Sequence, residues 1–248
     1  MSMTETGKYP PPSPLVSYSQ WGDDLLVWEY FGKNRGGTFL EAGANDPKVL
    51  SQTYLLEQQG WTGVLVEPVP ECCTRLRAER PGSRVFQNAL GAPQQRGVLR
   101  LAIPNGLSEL TSGLAEGAEP AEGARVIEAG FITLSEALDQ AGIERLDYLS
   151  LDLEGMELEA LKGLDFKRHP PRLIIIEDRL GDLLRHRFLG KNGYKLVRRN
   201  GSNDWYVPMA EPFAVPLAMR IELLRKVYLS MPFRWFRGLS RQLRGKQK

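Results

Sequence analysis

Carboxylates stand wherever the apolar, strand-forming runs of this chain stop. Glu41 lies in Phe39-Leu40-Glu41-Ala42-Gly43, Glu67 follows Val64-Leu65-Val66, and Asp152 follows Leu149-Ser150-Leu151. Glu177 and Asp178 close Leu173-Ile174-Ile175-Ile176. A charge at the end of a buried strand is costly unless donors, a cation or a bound ligand meet it. Glu41 is therefore expected to meet backbone N–H groups or the ammonium of a bound amino-acid moiety. Glu67 lies 24 residues beyond Gly43. An acid about 20 residues past a glycine turn suits hydrogen bonds from two ribose hydroxyls. Gly43 and Ala44 would let the backbone approach a ligand without a clashing side chain. The pair Glu41 and Glu67 on adjacent strands reads as a nucleoside site. The plain alternatives are a strand-to-helix turn and a solvated strand end.

A second grouping concerns a metal. Adjacent parallel strands lie about 4.8 Å apart, so Asp152 and the Glu177-Asp178 pair converge at one mouth of a sheet. Three such oxygen ligands suit Mg²⁺, and a bound cation lowers the pKa of a coordinated hydroxyl. The rival reading makes Asp152 a helix cap and Asp178 a solvated side chain. His186, beyond the last of these strands, is a candidate general base by its intrinsic pKa of about 6.5, against an exposed helix histidine. Glu154 and Glu157 are three apart and share a face as the next helix begins, where acids also favour the helix dipole.

The elements that must position these residues alternate. Strands are expected at Thr38–Ala42, Gly63–Glu67, Ser83–Asn88, Val98–Ile103, Asp147–Asp152 and Arg172–Glu177. Helices are expected at residues 20–33, Pro47–Gln59, Pro70–Glu79 (with Pro70 in its first turn), Thr133–Gln140, Glu157–Gly163 and Leu180–Lys191. Asn200-Gly201-Ser202-Asn203 marks a hairpin turn between Tyr194–Arg199 and Asp204–Val207. Trp21 and Trp28 have helical spacing and are expected in the core. Such alternation implies an α/β, doubly wound, mostly parallel sheet closed by an antiparallel hairpin. Residues 104–124, rich in Gly, Ala, Ser and Glu, read as a loop over one end of the sheet. Ser108, Thr111 and Ser112 within it are expected to select substrate.

Composition bounds the rest. The 248 residues carry a net charge of +2, which hides an asymmetry: residues 211–248 hold nine basic and two acidic residues. An acidic body argues against nucleic acid as the main partner. Cys72 and Cys73 are adjacent and unsuited to a mutual disulfide. No leader-like run and no span of about 20 apolar residues is present, so a cytoplasmic protein is expected. The basic tail, with Leu223, Leu224, Val227, Phe233 and Trp235 among its cations, offers contact with an anionic membrane or an acidic partner. A second copy of the chain is a further candidate partner.

A nicotinamide dinucleotide site wants G-x-G-x-x-G, whose glycines admit the pyrophosphate. Gly43 is followed by Asn45, Pro47 and Lys48. S-adenosylmethionine has no pyrophosphate and needs no such glycines, so the sequence favours the methyl donor. From Thr38 to Val207 the chain resembles the FkbM-like methyltransferases. The resemblance rests on Phe39–Asp46, Ser51-Gln52-Thr53, Gly60-Trp61-Thr62-Gly63, Glu67-Pro68-Val69-Pro70, Asn88-Ala89-Leu90-Gly91 and Leu146–Glu157, in that order. It implies a Rossmann-type methyltransferase fold with a seven-stranded sheet over residues 36–210. An N-terminal arm and helix (1–35) and a basic amphipathic tail (211–248) flank it. It also implies that Glu41, Gly43, Ala44 and Asn45 line the methionine end of the cofactor, Glu67 and Pro68 the ribose, Asn88 and Ala89 the adenine, with Asp152 beside them. The set Asp152, Glu177, Asp178 looks like the metal site of catechol O-methyltransferase. The expected reaction is O-methylation of a small-molecule or glycan-type hydroxyl, with Asp152 and His186 as candidate catalytic groups. The rivals are an inactive nucleotide-binding scaffold and an NAD-dependent oxidoreductase.

Overall fold

The computed structural model describes residues 15–103, 112–113, 123–178 and 183–224. The arm up to residue 14, the expected selectivity residues Ser108 and Thr111, and the tail from residue 225 lie outside these. The first half of the chain runs α1 (Asp23–Tyr30), β1 (Thr38–Ala42), α2 (Tyr54–Gln58), β2 (Thr62–Val66), α3 (Pro70–Glu79) and β3 (Ser83–Phe86). Next come β4 (Ala89–Leu90), β5 (Val98–Ile103), β6 (Ser112–Gly113), β7 (Arg125–Ile132) and α4 (Leu134–Ala141). The last part is β8 (Tyr148–Leu151), α5 (Glu157–Lys162), β9 (Leu173–Glu177), α6 (Leu183–Lys191), β10 (Tyr194–Asn200), β11 (Asn203–Pro208) and α7 (Leu217–Leu223).

The main sheet has seven strands in the order β10-β11-β9-β8-β1-β2-β3, parallel except for β11, which pairs antiparallel with both neighbours. Alternation along each strand sends side chains to opposite layers. Leu40, Ala42, Val64, Val66, Leu149 and Ile174 pack under α4, α5 and α6. Phe39, Leu65, Tyr148 and Ile175 pack under α1, α2 and α3. The doubly wound expectation is met, closing hairpin included.

Local chemistry sets the helix ends. Pro70 occupies the first turn of α3, where its missing N–H costs nothing. Thr133 and Glu136 form a capping box at the start of α4, and Gly142 stops it in the left-handed region. The helix expected over Pro47–Gln59 survives only as α2. Before it, the Asp46 carboxylate accepts from the N–H groups of Lys48 and Val49, both at 2.9 Å, and Leu50 takes a φ of 63°. The chain there forms a side-chain-held turn instead of a helix.

The structure also adds elements. β7 pairs antiparallel with β5 and parallel with β4, and β6 pairs with β5, making a separate four-stranded sheet. Trp28 is buried as expected, but Trp21 is 46% exposed and donates its Nε1–H to Ser202 Oγ at 3.2 Å. Helix α1 is fastened to the closing hairpin by Asp23, which accepts from Asn203 Nδ2 and Trp205 Nε1 at 2.7 Å each and from Asn200 Nδ2 at 3.1 Å. Burial nevertheless holds the Asp23 carboxyl above the usual range.

Candidate functional site

The strands end level. Phe86, Val66, Ala42, Leu151 and Ile176 are successive partners across β3, β2, β1, β8 and β9. One residue further, Glu67 donates its N–H to Phe86, Gly43 to Val66 and Asp152 to Ala42, at 2.9–3.1 Å. Glu67, Gly43, Asp152 and Glu177 thus form a rung at the carboxyl ends of the parallel strands, where doubly wound sheets bind ligands.

Gly43 is fixed by this geometry. Its φ is 77°, and a Cβ on it would stand 2.0 Å from the Asp152 carbonyl oxygen. Close approach of two backbones, in addition to any ligand, excludes a side chain there. Asn45 takes a φ of 41° and donates its N–H to Glu67 Oε2 at 2.9 Å. Val69 donates to Glu67 Oε1, also at 2.9 Å. Burial pushes the Glu67 carboxyl up, and the two N–H groups and Arg75 pull it back only in part.

Glu41 has a different job from the one the resemblance implies. It projects into the layer of α1, α2 and α3, where its oxygens accept from Ser51 Oγ at 3.0 Å, Gln52 N at 2.7 Å and Thr53 Oγ1. Arg80 lies 4.0 Å away and also bonds Glu57 at 2.8 Å, Ser51 Oγ at 3.2 Å and Thr53 Oγ1 at 2.9 Å. The expectation that backbone N–H groups meet Glu41 holds. Its place against a bound ammonium does not follow, because protein donors already occupy this buried carboxylate. Ala44 is buried beside Phe39 and Leu55 in the same layer.

Asn88 Nδ2 donates to the Gly130 carbonyl at 3.0 Å, and Ala89 begins β4. Both follow β3 and tie the small sheet to the mouth. Two buried thiols flank Glu67, a feature the sequence reading passed over. Cys73 Sγ donates to the Glu67 carbonyl at 3.0 Å, and Cys72 Sγ lies 3.4 Å from Asn45 Oδ1. Burial pushes Cys73 up to about 12, so it stays a thiol.

The carboxylates that converge are not quite the expected three. Asp152, Glu154 and Glu177 each bring an oxygen within 4.8 Å of the others. Glu154 does so from a left-handed turn, φ 51°, held by Glu157, whose Oε1 accepts from Leu153 N at 3.2 Å and Gly155 N at 3.1 Å. Asp178 is corrected out of the set. It is buried, 2.8 Å from Arg185 and 3.4 Å from Arg199, and is not one of the three groups that converge. His186 is not one of the converging groups among the described residues. Its Nδ1 lies 3.3 Å from Tyr206 Oη, and Tyr206 pairs with Ile174, three residues below the Glu177 rung. Burial lowers the His186 pKa, with Asp178 opposing.

A family model described as the methyltransferase FkbM domain matches residues 41–196. No curated protein matches the chain in sequence. Among solved structures, the METTL16 methyltransferase domain aligns at 12% identity and a TM-score of 0.42, over 75% of this chain and 65% of that one. The chain thus spans slightly less than two thirds of that domain. A TehB-like SAM-dependent methyltransferase from Corynebacterium glutamicum aligns at 13% identity and a TM-score of 0.39, over 75% and 85%. A precorrin-6y C5,15-methyltransferase from Geobacter metallireducens gives 9% identity and 0.38, over 74% and 84%.

Proposed function

The chain belongs to the FkbM-domain methyltransferases, S-adenosylmethionine-dependent enzymes as a class, and from that membership we propose that it methylates a hydroxyl oxygen of a small-molecule or glycan-type acceptor. The observation that carries the reading is the rung Glu67–Gly43–Asp152–Glu177, which lies within the matched residues. It brings Glu67, which this reading assigns to the ribose, and Asp152 and Glu177, which it assigns to the acceptor side, to the same end of the sheet.

The residues suit the cofactor. Among the described residues each Glu67 oxygen accepts one backbone N–H, and a carboxylate has about four acceptor sites. One site per oxygen remains for a pair of ribose hydroxyls. When bound, S-adenosylmethionine supplies an electrophilic methyl group on a sulfonium sulfur. Transfer of that methyl to an acceptor hydroxyl would release the hydroxyl proton, which a residue of this chain would have to take. Asp152, exposed at the mouth beside Glu154 and Glu177, is the residue assigned that proton in place of His186. The choice of oxygen over nitrogen rests on the family resemblance.

Transfer of labelled methyl to a panel of hydroxylated glycan precursors and their amino counterparts tests the reading. Label is expected in ethers, with Asp152→Asn losing turnover more than cofactor affinity. Label confined to amines would overturn the oxygen assignment, and cofactor binding without turnover on any acceptor would favour the scaffold alternative. A second form of the reading places Mg²⁺ on Asp152, Glu154 and Glu177, favoured by their convergence within 4.8 Å. Activity is then lost in excess EDTA and restored by Mg²⁺. Full activity in EDTA leaves Asp152 acting directly.

A further inference from the structure

Helix α7 has two faces of opposite fate. Leu223 is buried against Leu183, Leu196, Val215 and Met219, which seats the helix beside the start of α6. Leu217, Ile221 and Leu224, spaced i, i+4, i+7, are 74%, 58% and 56% exposed. That spacing makes one continuous apolar ridge facing water. A soluble surface scatters such residues singly, so a ridge of three calls for an occupant.

Charge identifies the occupant. The sequence after Leu224, residues 225–248, holds eight basic residues and no acidic one, interleaved with Val227, Tyr228, Leu229, Phe233, Trp235 and Phe236. On α6, whose first residue Leu183 packs against α7, a groove of about 470 Å³ shared with α5 is walled by Leu158, Leu184 and Phe188 and rimmed by Lys162, Arg187 and Lys191. Leu184 there is 60% exposed. Lys162 pairs with Glu159 at 2.6 Å, whereas Arg187 and Lys191 make no ion pair among the described residues. Apolar side chains set among cations, on neighbouring helices and on the segment that leaves them, match the headgroup boundary of an anionic membrane. A second copy of the chain would bring cations against cations, and the groove's own rim opposes docking of the basic segment.

We propose that α7 and the segment following it bind the surface of an anionic phospholipid bilayer, lying on the membrane without crossing it. No helix among the described residues is long and apolar enough to span one. Binding draws on Leu217, Ile221 and Leu224 for insertion and on the cations for attraction. It is independent of the acceptor.

Co-sedimentation of the full chain with vesicles of phosphatidylglycerol and phosphatidylcholine in equal parts tests this. Light scattering without vesicles gives the oligomeric state. Recovery is expected with the mixed vesicles, with little on phosphatidylcholine alone and release by salt. L217S/I221S/L224S changes only exposed side chains and should keep the fold by circular dichroism. Its vesicle affinity should fall about tenfold or more, and a chain ending at residue 224 should fall likewise. Equal recovery of wild type and the triple variant, or equal recovery on both vesicle types, overturns the proposal. A dimer that the triple variant dissolves, without vesicle binding by wild type, overturns it in favour of a self-interface.

Discussion

The backbone N–H of Asn45 points at Glu67 Oε2 from 2.9 Å, and Asn45 holds a φ of 41° to do so. Asparagine enters the left-handed region more readily than most residues that carry a side chain. Here the gain is a lock between the loop after β1 and the loop after β2. Through it the residue assigned to the ribose also shapes the turn assigned to the methionine end.

Replacing Glu67 with Ala removes charge-assisted hydrogen bonds of about 1.5–3 kcal/mol, so cofactor affinity should fall about ten- to a hundredfold. Glu67→Gln should fall between the two. Calorimetry with S-adenosylhomocysteine measures both, and unchanged affinity in a folded Glu67→Ala removes the ribose assignment. The pH dependence has a sign. Burial raises the Glu67 pKa, and ribose donors favour the ionised form, so affinity should weaken as pH falls through that raised pKa.

Gly43→Ala should destabilise the fold by about 2 kcal/mol or more. The added carbon meets the Asp152 carbonyl at 2.0 Å, and alanine resists a φ of 77°. Chemical unfolding checks the loss. A variant as stable as wild type would mean that the strand ends are free to part.

Arg80→Leu leaves Glu41 and Glu57 without their shared buried cation and should cost about 3–5 kcal/mol. Arg80→Lys should rescue little, since one ammonium cannot reproduce the forked contacts to Glu57, Ser51 and Thr53. Urea denaturation of the two variants separates loss of charge from loss of shape.

Burial raises the Asp204 carboxyl to about 7, against the pull of Arg199 at 2.7 Å. Between about 4 and 7 the folded chain therefore binds a proton that the unfolded chain releases, so this group's contribution to stability falls as pH rises. Asp204→Asn should flatten that slope while retaining an acceptor for Arg199. Thermal midpoints across this range test it, and an unchanged slope assigns the titration elsewhere.

Apolar runs with clear punctuation could be read from the sequence, as β1 and α3 show by matching their expected bounds. β7 could not, because Arg125-Val-Ile-Glu-Ala-Gly-Phe-Ile follows a Gly- and Ala-rich stretch and lacks strict alternation. Its partners β4 and β5 are what make it a strand. At the site, spacing located Glu67 and Asp152, since each directly follows a strand. It could not reveal that Arg185 and Arg199 capture Asp178, or that Glu157 holds the turn that delivers Glu154. Those pairings are made in space. Glu154 had one local signal, its place before Gly155 in a turn.

The clasp between Asp23 and the closing hairpin also bears on how the chain is made. Its partners Asn200, Asn203 and Trp205 lie about 180 residues downstream. A ribosome adding about 5–20 residues per second needs on the order of ten to forty seconds to deliver them. Throughout that interval Asp23 lacks the partners that fasten the first helix to the hairpin, although Val27 and Trp28 can already pack on Phe39, Leu55 and Leu56. A nascent chain of this protein is thus one in which the earliest helix is among the last to be fastened.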